Sequence, residues 1–152
     1  MSEERHGHGH NLRQGRHRLS IEQASALRSG DFSRLDIEHL ADEIEDVGKS
    51  EQRELANRMA VLLAHLLKWQ YQPERRTRSW SNTIAIQRKR LARRMERTPS
   101  LKASLSDPDW WSDAWDDATT ACRRETGLEL ESMPENCPWS AAEVLAEGWL
   151  PA

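Results

Sequence analysis

Arg88 lies four residues after Ile84 and three before Leu91, so helical spacing carries a guanidinium into an otherwise apolar line. A buried cation without compensation is costly, so the side chain must reach water along its stem or find an acceptor. A carboxylate is the expected mate. Glu43 is the natural choice, because it flanks the seam Leu40, Ile44, Val47 by helical position. His65 flanks the apolar stripe of a longer helix near Glu54 and Arg58, while Gln87 and Trp80 border the Arg88 line. Glu43, His65, Gln87, Arg88 and Trp80 therefore make up a candidate polar cluster at a helix junction. One reading is a hydrogen-bonded ion network that fixes helix register. The other is an anion or carboxylate pocket of a small-molecule enzyme, with Arg88 as bidentate clamp and His65 as the titratable group.

A second candidate is the basic run from Arg75 to Arg97, which carries nine Arg or Lys residues against Glu96 alone. Arg90, Arg93, Arg94 and Arg97 are expected on its solvent side, where phosphates could release counterions on binding. No groove-reading motif accompanies them, and a solvated face paired with acidic neighbours explains the run equally well. The third candidate is tryptophan. Seven Trp against one Phe and one Tyr exceed what a thin core needs, so Trp69, Trp139 and Trp149 are expected as exposed anchors for self-association or a protein partner.

Other chemistry has little support. His6, His8 and His10 alternate with glycine and offer only weak imidazole ligation, without a carboxylate or thiol to close a metal site. Cys122 and Cys137 form no CxxC pair, which removes a zinc knuckle or a disulfide framework. No phosphate-binding glycine loop, GxSxG elbow or HExxH helix occurs. A di-iron bundle would need Glu-x-x-His pairs on two helices, which the helical segments do not supply. The expectation is a noncatalytic module with no metal and no cofactor.

The elements that must position these residues read as helices throughout. Residues 1–18 hold Gly7, Gly9 and Gly15 with almost no apolar periodicity and read as a flexible tail, leaving 19–152 as a single helical domain. Ser20 and Gln23 suggest a capping box for a short helix that stops at Gly30. Asp36 then caps a helix whose seam is Ile37, Leu40, Ile44 and Val47, and Gly48 is expected to end or kink it. From Ser50, a longer helix with Leu55, Met59, Leu62, Leu63, Leu66 and Leu67 runs until Pro73 removes a backbone donor. The next helix spans about Ser79 to Arg97 with Trp80, Ile84, Leu91 and Met95 along one line. Leu101 and Leu105 suggest a further turn or two. Asp107-Pro108 opens a helix ending at Gly127, with Trp111, Ala114, Trp115, Ala118 and Cys122 inward. Ser140 and Glu143 cap a short last helix ending near Gly148. Six helices on short connections imply an all-α antiparallel bundle with small terminal additions.

Composition sets bounds on function. A hydrophobic fraction of 37% against 31% charged residues implies narrow apolar stripes on well-charged helices. The net charge of −3 argues against a chain built as a whole to coat nucleic acid or anionic lipid. No apolar run approaches a membrane span, and the start lacks a secretory core, so a cytoplasmic location is expected.

The run His65-Leu66-Leu67-Lys68-Trp69-Gln70-Tyr71-Gln72-Pro73-Glu74-Arg75-Arg76, followed by Arg78-Ser79-Trp80, Thr83-Ile84 and Gln87-Arg88, resembles the signature of the bacterial family named domain of unknown function 29. The likeness extends to Leu40-Ala41-Asp42-Glu43-Ile44-Glu45, Glu125-Thr126-Gly127-Leu128 and Pro134-Glu135-Asn136-Cys137-Pro138. It covers nearly everything after about residue 20. The resemblance implies an all-helical fold and brings no activity with it. The chain departs from the family at its start, where a His-Gly tail replaces a short aromatic-containing lead.

Overall fold

The computed structural model describes residues 20–152, and every regular element among them is helical. The expected flexible tail at 1–18, with His6, His8 and His10, lies outside the described residues. Helix α1 occupies 20–29. Then follow a 3-10 turn at Phe32–Arg34, α2 at Ile37–Tyr71, a turn at Pro73–Arg75, α3 at Arg78–Arg97, a 3-10 stretch at Pro99–Ser106 and α4 at Pro108–Thr126. A turn at Leu130–Ser132 and the short α5 at Ala141–Leu145 complete the chain. The residues divide into two compact units at Gly48/Lys49.

The first unit is built around the α1 turn. Gly30 takes φ +72°, a left-handed conformation that L side chains rarely adopt, and this reverses the chain after α1. Gln23, expected to serve the cap with Ser20, reaches across the turn: its Nε2 donates to the Arg34 carbonyl at 3.2 Å. Its Oε1 accepts from the Asp36 amide at 2.8 Å. Asp36 is the N-cap read from sequence, accepting from the His39 amide at 3.2 Å. Ala26 is the one buried apolar side chain among the described residues of this unit.

Gly48 does not end a helix. It stands inside the continuous α2, and Ser50 is an interior residue rather than a cap. A glycine costs a helix interior only about 1 kcal/mol, which the long apolar stripe beyond it outweighs.

In the second unit that stripe forms the core. Leu55, Met59, Leu62, Leu63, Leu66 and Leu67 are fully buried, with Ile84, Leu91 and Met95 of α3 and Ala114, Trp115, Ala118 and Cys122 of α4. Pairings fix the directions. Glu54 meets Arg94 and Lys68 meets Trp80, so α3 runs against α2. The Trp110 indole donates to the Gln52 carbonyl and Lys68 meets Glu125, so α4 runs with α2. The 3-10 stretch at Pro99–Ser106 connects α3 to α4, burying Leu101 on the way. Capping agrees with the sequence at two starts: Asp107 accepts from the Asp109 amide, and Ser140 and Glu143 form a reciprocal box. Thr77, not among the caps read from sequence, caps α3 by accepting from the Trp80 amide. Gly127 at φ +74° closes α4. No helix of the described residues is long and apolar enough to cross a membrane.

Candidate functional site

Arg88 is the buried cation that the helical spacing implies, at 8% exposure. Its expected carboxylate mate is replaced by main chain. The Nε donates to the Val144 carbonyl at 2.8 Å and an Nη2 hydrogen to the Trp149 carbonyl at 2.6 Å. The guanidinium thereby pins the segment around α5 onto α3. Burial lowers the pKa of Arg88, and no neighbouring charge contributes to the shift.

Glu43 is exposed and belongs to the first unit, where it lines a groove of about 370 Å³. Ala24 and Leu27 of α1 and Leu40, Ile44 and Val47 of α2 make that groove apolar. The expected seam therefore exists, but Ile44 and Val47 stay 65% and 59% exposed. Ile21, Phe32 and Ile37 of the same unit are also largely exposed.

His65 and Trp80 belong to a different cluster. Lys68, a buried side chain of α2, pairs with Glu125 of α4, and its Nζ lies 5.9 Å from the Trp80 ring centroid. His65 is half-buried one turn before Lys68, its Nδ1 2.8 Å from the Val61 carbonyl. Burial pushes its pKa down, the Lys68 charge adds to that, and Glu125 opposes. Cys122 lies within the same electrostatic neighbourhood, and burial raises its thiol pKa. A raised thiol pKa makes a poor nucleophile, so the group is chemically quiet. Lys68 and Glu125 were not among the residues singled out from sequence, although Lys68 interrupts the apolar stripe just as Arg88 interrupts its own.

Gln87 is half-buried, and its Oε1 is a buried atom without a hydrogen-bond partner, as is Arg58 Nε. The basic run is divided by its surroundings. Arg94 is paired with Glu54, which also takes Arg58 Nη2 at 3.3 Å. Arg90, Arg93 and Arg97 remain exposed around Glu96.

Trp69, Trp139 and Trp149, expected as exposed anchors, are all half-buried against the core. Trp139 packs edge-to-face on Trp115, with centroids 5.7 Å apart, and on Trp149 at 5.9 Å. Trp69 is half-buried under the Arg76 guanidinium, 4.9 Å from its ring centroid, while Arg76 Nε donates to the Trp69 carbonyl. That arrangement gives a carbonyl near the end of α2 a cationic donor. These indoles extend the apolar packing of the second unit at its edge, each adding a large flat ring against the buried core. Trp111, placed inward from sequence, is only half-buried, and Trp110 takes the deeper position.

Among the described residues, no group of three or more His, Cys, Asp or Glu side chains is placed to hold a metal ion. No curated protein and no solved structure matches the chain. A family profile described as "Domain of unknown function DUF29" matches residues 17–150. The match takes in both units, with the Arg88 anchor, the Lys68–Glu125 pair and the open groove, and the chain belongs to that family.

Proposed function

We propose that the protein is a noncatalytic interaction module whose first unit docks a basic amphipathic helix of a partner protein. The observation that carries this reading is an apolar groove left open inside an acidic frame. Leu27, Leu40, Ile44 and Val47 line it, in a unit where Ala26 alone among the described apolar side chains is buried. Glu43 lines it as well, and the stretch from Asp36 to Val47 that supplies one wall is its acidic frame, carrying Asp36, Glu38, Asp42, Glu43, Glu45 and Asp46 and no Lys or Arg.

Covering the exposed parts of Ile44, Val47 and Leu27 recovers roughly half of the 1.5–3 kcal/mol that complete burial of each side chain is worth. The acidic frame chooses among occupants. A second copy would set carboxylates against carboxylates, whereas a helix bearing Lys and Arg beside its apolar stripe gains on both counts. Apolar contributions of that size alone correspond to a Kd on the order of 1 mM, and charge pairing with the carboxylates tightens it.

The test is fluorescence anisotropy with a labelled Leu/Lys helix of roughly five turns, set against a Leu/Glu counterpart. Binding is expected for the basic peptide alone, weakening with salt and lost in Ile44→Asp, whose exposed position leaves folding intact. Equal binding of the acidic peptide, indifference to Ile44→Asp, or a dimer closed through this groove would refute the reading.

A further inference from the structure

A groove of about 350 Å³ opens where α3 meets the chain around and after α5, and Arg88 is among its lining residues. Ile84 and Ala85 of α3, with Leu145 and Leu150, give it apolar walls. Lys89 and Glu147, both exposed, line it as well. The lining charges are one guanidinium, one ammonium and one carboxylate, so the groove has room for a single further negative charge.

Arg88 is the feature that asks for it. A guanidinium carries five N–H donors, and two here are given to the Val144 and Trp149 carbonyls. Among the described residues no carboxylate pairs with this charge, even though the side chain is more than nine-tenths buried. Carbonyl dipoles hold an arginine in place, but they do not balance it as an anion would. An arginine that is already positioned presents its remaining donors without further ordering cost, which suits planar recognition of a carboxylate.

We propose that this groove binds a short aliphatic monocarboxylate, with its carboxylate on Arg88 and its chain between Ile84, Leu145 and Leu150. The site lies in the second unit and is independent of the helix-docking reading. Its volume falls near the lower end of the range for small-ligand pockets, which favours a short chain over a full-length fatty acid.

Isothermal titration of the full chain with octanoate tests it, with octanol and octylamine as matched controls. One octanoate per chain is expected, with Kd between about 10 µM and 1 mM, and at least tenfold weaker binding of both controls. Arg88→Met should abolish binding but also releases the α5 segment. Ala85→Trp therefore serves as the second variant: it fills the groove, leaves both Arg88 hydrogen bonds in place, and should weaken octanoate at least tenfold. No saturable binding up to about 10 mM, octanol binding as tightly as octanoate, or unchanged affinity in Ala85→Trp would overturn the proposal. So would an N-acetylated peptide ending in leucine that binds more tightly than octanoate, since it would make the ligand a protein terminus.

Discussion

Removing the two partners of the Lys68–Glu125 pair should have very unequal effects, because their burial is unequal. The Lys68 side chain is 8% exposed and that of Glu125 is 50% exposed. In Glu125→Gln the shape is kept and the charge is lost, leaving an ammonium in the interior with only the Trp80 ring as partial compensation. Breaking a fully buried pair this way costs about 3–5 kcal/mol. Half of Glu125 faces water, which screens the interaction, so the expected loss is about 1–3 kcal/mol. In Lys68→Met the position becomes apolar beside Leu67 and Trp80, and the stranded Glu125 rehydrates, so the loss should stay within about 1 kcal/mol. The double variant should match Lys68→Met. Urea unfolding followed by tryptophan fluorescence gives all three values. The pH dependence supplies an internal control. Lys68 holds the Glu125 pKa below its ordinary 4.5, so the pair's contribution is present above pH 4.5 and fades as pH falls through the folded value. Glu125→Gln should abolish that acid-side loss. A Lys68→Met variant less stable than Glu125→Gln would refute the reasoning.

The two described histidines of α2 should titrate in opposite senses. Asp36 raises the His39 pKa above 6.5 through its hydrogen bond, so that contribution is present below pH 6.5 and lost as pH rises through the folded value. Burial lowers His65 below 6.5, so stability falls as pH drops from 6.5 through its folded value; an NMR titration placing His39 below His65 would overturn at least one of the two assignments. Gly48→Ala should raise stability by about 0.5–1 kcal/mol, since a Cβ there meets open space within a continuous helix. A loss measured by the same urea unfolding would mean that the helix breaks at this residue. Arg88→Met should cost about 2–4 kcal/mol by stranding the Val144 and Trp149 carbonyls. Limited proteolysis should then cut first between Leu145 and Leu150, and an unchanged cleavage pattern would argue against the anchoring role.

Periodicity carried most of the fold. The spacing of Leu55, Met59, Leu62, Leu63, Leu66 and Leu67 specified a buried helical face, and Asp107, Ser140 and Gly127 mark ends where local hydrogen bonds decide them. Gly48 misled because local propensity is weak beside the burial of a long stripe. Arg88 was legible as a buried cation, but its acceptors were not: main-chain carbonyls 56 and 61 residues away leave no mark in side-chain chemistry. Lys68 carried the same signal, a cation within an apolar stripe, and only the arrangement of α4 identifies Glu125 as its mate. Tryptophan count alone could not separate anchors for a partner from plugs for a thin core. The edge-to-face chain of Trp115, Trp139 and Trp149 packs the latter two against the core, where both stay half-buried. The seam from Ile37 to Val47 was correctly seen as a helical face; that it stays uncovered depends on tertiary packing, which spacing does not encode.

Methyl NMR of the Ile-, Leu- and Val-labelled chain, titrated with the basic helix peptide, addresses the proposed docking groove most directly. Saturable shifts are expected at Leu27, Leu40, Ile44 and Val47, with Leu62, Leu66 and Leu91 unmoved in the core. Shifts confined to the second unit, or a spectrum unchanged at millimolar peptide, would contradict the account.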